Sequence, residues 1–136
     1  MHIHHIGIIV NDIEKDSSMY KSLGFCQCAN LVVDLIQFNK IIFLQDFNNS
    51  IKIELIEPID ERSSVYNFKC GYHHICFQED GGNIIENFKK MKVGKIFSKP
   101  IVAPALNKRK VVFGCLKNGT FIELILEDKT ELSCYP

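Results

Sequence analysis

The chain states one pattern twice. It reads HHIGIIV from His4 and HHICFQE from His73. Downstream of each lies a second shared string, KIELIEP around Glu54 and FIELILE around Glu123. Glu54 follows His5 by 49 positions, and Glu123 follows His74 by 49 positions. Two unlike strings held at one separation mark an internal duplication, which confines the fold to two copies of one arrangement packed together.

Local signals inside each copy predict the same order of elements. IHHIGIIV is a β-branched run and reads as a strand. NDIEKDSSMYKSLGF reads as a helix: Asn11 or Asp12 caps it, Ile13, Met19, Tyr20 and Leu23 form its apolar stripe, and Gly24 ends it. ANLVVDLIQF, KIIFLQDF and SIKIELIEP read as strands, with a turn at FNNS. The second copy repeats this order with YHHICFQE, a helix in GGNIIENFKKMKVG, a proline-broken edge strand in KIFSKPIVAP, and strands in KRKVVFGCL and TFIELILE around a KNGT hairpin turn. The expected fold class is α+β: two tandem βαβββ modules in an incomplete, curved β-barrel. The expected domain covers 1–127, with modules at about 2–58 and 71–127 joined by 59–70, and a tail at 128–136.

Composition narrows the function. A length of 136 residues suits one domain or two fused half-size units, and formal net charge is +0. Nothing global therefore favours nucleic acid or an anionic membrane. No apolar run reaches membrane-span length, and the N-terminus lacks a signal-peptide pattern. A cytoplasmic location is expected. The six cysteines, at 26, 28, 70, 76, 115 and 134, show no disulfide framework and are expected to be reduced and mostly buried. Cys26-Gln-Cys28 is too tight for a zinc knuckle.

Strand alternation assigns faces. His5 and His74 should face the concave side of the sheet, and His4 and His73 the helices, as core or rim residues. His2 should be exposed. Glu54 and Glu123 each alternate with large apolar neighbours, where a carboxylate is costly unless it is paired or bound to a cation. Taken singly, a strand histidine is more often structural and a strand glutamate more often solvated. The matched spacing is what ties His5, Glu54, His74 and Glu123 together. A two-histidine, two-carboxylate shell suits one divalent metal ion: Zn, Ni, Co, Mn or Fe.

HHIGIIVNDIEKDSSMYKSLGF, IELIEP, GYHHICF and NGTFIELI resemble the vicinal oxygen chelate superfamily, which holds glyoxalase I, methylmalonyl-CoA epimerase, extradiol dioxygenases and bleomycin-resistance proteins. The resemblance covers about residues 2 to 127. It implies paired βαβββ modules around a metal, and carries the metal positions onto the same four residues. EPIDERSSVYNFKCGYHHICF and PIVAPALNKRKVVF are most similar to methylmalonyl-CoA epimerase, whose first-module ligand is usually glutamine where this chain has Glu54. Two histidines with two glutamates is the glyoxalase I (lactoylglutathione lyase) pattern.

Both activities share one chemistry. The metal chelates two substrate oxygens, and a carboxylate removes the proton beside the carbonyl through an enolate or enediolate. Glu123 is the first candidate base and Glu54 the second. The resemblance implies an isomerase or lyase acting on an acyl-CoA thioester, with a thiol hemithioacetal as the alternative substrate and a homodimer as the assembly. A non-catalytic small-molecule binder, like the bleomycin-resistance proteins, is the reading from another class. The metal quartet counts against it. Lys108-Arg109-Lys110 could meet CoA phosphates, although a solvated charge run is the commoner meaning.

Overall fold

A computed structural model describes residues 1–127. The residues at 128–136, with Cys134, lie outside the described part. The chain runs β1 (His2–Ile9), α1 (Ile13–Ser22), β2 (Cys26–Gln27), β3 (Val32–Asp34), β4 (Asn39–Gln45) and β5 (Lys52–Pro58). It continues with β6 (Gly71–Gln78), α2 (Ile84–Met91), β7 (Gly94–Ile96), β8 (Ile101–Ala103), a 3-10 turn (Pro104–Leu106), β9 (Arg109–Leu116) and β10 (Phe121–Ile125).

The strands form one mixed, curved sheet in the order β2-β4-β5-β1-β6-β10-β9-β7, with β3 on β4 and β8 on β9. The order is mirror-like about the β1–β6 junction. β1 pairs β5 in parallel and β6 pairs β10 in parallel, while β1 and β6 meet antiparallel. β2 and β7 stand at the two ends of this order, so the barrel is not closed.

Both helices cover the convex face. Asp12 caps α1 by accepting the Lys15 N–H at 3.1 Å, and Asn83 caps α2 by accepting the Glu86 N–H at 3.2 Å. Under α1, Val10 and Ile13 pack with Ile42, Leu44, Ile53 and Leu55. Under α2, Ile84 and Phe88 pack with Val112, Ile122 and Leu124. Each buried aliphatic side chain contributes about 1.5–3 kcal/mol. The even–odd alternation that buries Ile53 and Leu55 under α1 leaves Glu54 facing the other way, and Glu123 lies likewise between Ile122 and Leu124.

Three local expectations change. The inward face of α1 is Ile13, Ser17 and Tyr20, at helical spacing, so Met19 and Leu23 are exposed. The strand expected over 29–38 is only β3, because the Asp34 carboxylate accepts the N–H groups of Ile36 and Gln37 at 2.8 and 2.9 Å and turns the chain back into β4. Cys26, Cys28, Cys70, Cys76 and Cys115 are free thiols, but only Cys76 is buried. Cys26 sits on the edge strand β2, Cys28 just after it and Cys70 in the joining segment, and all three are exposed.

Candidate metal centre

The β1–β6 junction and its parallel neighbours bring four side chains to one place on the concave face. His5 is on β1, Glu54 on β5, His74 on β6 and Glu123 on β10. All four are buried, with exposures of 0%, 6%, 2% and 4%. His5 Nε2 lies 3.2 Å from His74 Nε2. Glu54 Oε1 is 3.7 Å from each imidazole Nε2. Glu123 Oε1 is 3.2 Å from His5 Nε2 and 3.7 Å from His74 Nε2. The donor atoms of His5, Glu54 and His74 all fall within 4.8 Å of one another.

This donor set fits a divalent cation. Glu123 Oε1 is buried without a hydrogen-bond partner, so its 3.2 Å approach to His5 lacks hydrogen-bond alignment. A buried, unpartnered carboxylate oxygen is costly unless a cation takes the lone pair. Two imidazoles and two carboxylates are the ligand types that zinc, nickel, cobalt, manganese and iron accept.

Gly7 makes room for the cluster. It pairs with His74 on one side and Glu54 on the other. A Cβ at this position would overlap the His74 ring. Sequence reasoning attached no role to Gly7; the available signal was an isolated glycine inside a β-branched strand, which marks close approach of another group.

His4 and His73 do not face the helices. In the β1–β6 pairing, Ile3 and His5 oppose Phe77 and Cys76, so His4 is an extra residue. Gly7 and Ile8 oppose His74 and Tyr72, so His73 is an extra residue. Each is the looped-out position of a β-bulge, which re-aims its side chain. The His4 ring meets His5 and Phe43 edge-on, and the His73 ring meets His74 and Phe68 edge-on. His2, at the start of β1, is exposed.

The electrostatics of the pairs are unequal. Burial pushes the Glu54 carboxyl up to about 7, against the attraction of His5 and with help from the charges of Glu123 and Asp34. Burial also works against ionised Glu123, but the close His5 imidazole, the charge of His74 and the Cys76 thiol together pull it down to about 2. Burial lowers His74 to about 3. His5 is raised, because Glu54 and Glu123 outweigh its desolvation.

A cavity of about 560 Å³ opens on Glu54, His74 and Glu123, while His5 is itself fully buried. Glu54, His73, His74 and Glu123 line its floor, and its walls carry Ile41, Ile101, Leu106, Phe97, Phe113 and Phe121. The joining segment closes one side. Ser63 Oγ donates to Asn39 Oδ1 at 2.5 Å, and Ser64 Oγ donates to Gln37 Oε1 at 3.0 Å, pinning that segment to β4 and the turn before it. None of Lys108, Arg109 and Lys110 lines the cavity; Arg109 Nε donates to the Leu106 carbonyl at 3.0 Å.

Comparison with known proteins agrees with this architecture. The Glyoxalase/Bleomycin resistance protein/Dioxygenase superfamily matches residues 4–113, and the chain belongs to that superfamily. The chain is 29% identical to human mitochondrial methylmalonyl-CoA epimerase over 97 residues, 67% of this chain and 54% of that protein. It thus spans about half the length of the curated relatives it matches. A hypothetical protein of Bacillus halodurans has the same fold, with a TM-score of 0.76 at 24% identity, covering 97% of this chain and 98% of that one. So does a methylmalonyl-CoA epimerase of Streptomyces coelicolor in complex with 2-nitronate-propionyl-CoA, with a TM-score of 0.72 at 21% identity and coverage of 92% and 96%. Among the described residues, no helix is long and apolar enough to cross a membrane.

Proposed function

We propose that the chain is a metal-dependent isomerase that moves a proton on the carbon beside a thioester carbonyl, in the manner of a methylmalonyl-CoA epimerase. The convergence of His5, Glu54, His74 and Glu123, the last three at the floor of a largely apolar cavity, carries this reading. The likeness to epimerases supports the substrate class. A divalent metal held by these four residues would supply Lewis acidity to a pair of substrate oxygens.

The protein groups have separate tasks. Glu123 Oε1, unpartnered and beside the centre, takes the proton from the substrate carbon. Glu54, the second carboxyl of the centre, gives the carbon a proton of its own, and exchange of both carboxyls with solvent resets the pair. His5 and His74 hold the substrate-binding centre in place. The phenylalanines on the cavity wall exclude water and accept the apolar arm of the substrate. A homodimer is part of the same proposal, supported by the exposed apolar residues Val33, Leu35 and Ile36 at one side of the sheet.

Solvent deuterium exchange tests the reading. The purified protein, loaded in turn with Zn, Ni, Co, Mn and Fe, is given methylmalonyl-CoA or the methylglyoxal–glutathione hemithioacetal in D₂O. Deuterium entering methylmalonyl-CoA is expected, and Glu123→Gln should slow entry by about 10²–10⁴-fold. Exchange on the hemithioacetal alone would make the protein a glyoxalase I-type lyase, which its second glutamate also suits. Exchange on neither, with every metal, would overturn the catalytic reading in favour of a binder.

A further inference from the structure

The two bulge histidines are the feature that this chemistry does not use. Consecutive residues of a regular strand point to opposite faces, so their rings do not normally meet. Here the bulges reverse that rule twice. His4 Nδ1 lies 2.8 Å from His5 Nδ1, and His73 Nδ1 lies 2.9 Å from His74 Nδ1. Both contacts use the same atoms, at the same offset from a quartet residue, and in both the quartet imidazole keeps Nε2 turned to the carboxylates.

We propose that His4 and His73 are positioning residues, each accepting the Nδ1–H of the next histidine and so holding Nε2 of His5 and His74 as the free lone pair that binds the metal. The inference rests on the metal-centre reading above. Its physical basis is the tautomer. A neutral imidazole carries one N–H, and a ring that donates from Nδ1 must offer Nε2 as its acceptor. A histidine ligand oriented through its second nitrogen binds metal more tightly, by about 10–100-fold. The edge-on contacts with Phe43 on one side and Phe68 on the other keep the two acceptor rings in place.

The experiment compares an acceptor with a ring that lacks one. His4→Asn and His73→Asn place an amide oxygen near the Nδ1 position, and His4→Phe and His73→Phe keep the aromatic shape alone. Affinity is read by zinc and nickel titration against a competing chelator, and integrity by the metal-free thermal melt. Each Phe variant should lose about 10–100-fold in affinity with its melt unchanged, and each Asn variant should recover to within a few-fold of wild type. Nitrogen-15 spectra of the metal-free protein, taken at rising pH until the ring shifts of His5 and His74 stop moving and both are neutral, give an independent reading. Wild type should show Nδ1–H tautomers at His5 and His74, and His4→Phe should change His5 only. Wild-type affinity in the Phe variants, equal loss in Asn and Phe variants, or Nε2–H tautomers in wild type would each overturn the proposal. Failure of wild type to bind any metal would instead overturn the metal-centre reading, and the tautomer spectrum would still decide the role of His4 and His73.

Discussion

Glu54 and Glu123 occupy matching places in the two halves of the sheet, yet their carboxyls move in opposite directions. Each sits on a strand parallel to its own histidine strand, and each is fully buried beside two imidazoles. The difference lies first in the reach of His5, whose Nε2 is 3.2 Å from Glu123 and 3.7 Å from Glu54, and the strand pairing adds to it. Glu54 pairs with Gly7, which has no side chain, while Glu123 pairs with Cys76. Burial and the adjacent Glu123 charge push the Cys76 thiol up, so it stays a proton donor and favours ionised Glu123. The glycine cannot do the same for Glu54, and its bare backbone is taken up by the His74 ring. The closer His5 imidazole, with the exchange of Gly7 against Cys76 adding to it, thus gives a near-symmetric frame two unlike carboxylates, a known way to separate acid from base.

The largest test of this comparison swaps each carboxylate in the metal-free protein. Glu123→Gln should cost about 3–5 kcal/mol, because it removes the carboxylate that the buried His5 and His74 imidazoles face most closely. Glu54→Gln should be neutral or stabilising by about 1 kcal/mol near pH 8, since it removes a carboxyl that burial opposes ionising. Urea denaturation of both variants measures the pair. Equal destabilisation would break the asymmetry.

Gly7→Ala comes next. The added methyl meets the His74 ring, so either the ring leaves the quartet or the β1–β6 pairing shifts. A loss of about 1–3 kcal/mol in stability is expected. Zinc affinity should fall with it, while Cys76→Ala at the matching position in the second half should leave zinc affinity close to wild type. Titration of both variants checks this.

The smallest effect concerns acid. Ionised Glu123, depressed from its ordinary 4.5 to about 2, contributes stability above 4.5 that is lost as pH falls toward 2. His74, depressed to about 3, adds a loss between its ordinary 6.5 and 3, because the unfolded chain binds that proton first. Glu54 runs the other way: its raised carboxyl takes a proton in the folded state first, so its contribution falls as pH rises from 4.5 to about 7. Cys76→Ala removes the thiol donor and should move the acid unfolding midpoint of the metal-free protein up by about half a pH unit. An unchanged midpoint would show that the thiol does not set the difference between the two glutamates.

Much of the fold was legible because its signals are local. The alternation of Ile53-Glu54-Leu55 and Ile122-Glu123-Leu124 marked the buried and the concave faces, and the pair Asn11 and Asp12 marked the start of the first helix, where Asp12 is the cap. Reading 29–38 as one strand failed because the Asp34 side chain competes with the ladder for backbone N–H groups. The four quartet residues were legible only through the repeated spacing, since no single one of them stands out from its strand.

The sequence by itself determined that His5, Glu54, His74 and Glu123 belong together, because a repeat preserves distance along the chain. Only the tertiary structure decided how they are served. The bulges that bring His4 and His73 beside them arise where β1 and β6 pair two residues against one. The space over Gly7 and the thiol beside Glu123 likewise depend on which strand lies across from which. Alternation is a property of one strand, whereas register belongs to two, and the second strand is remote in sequence.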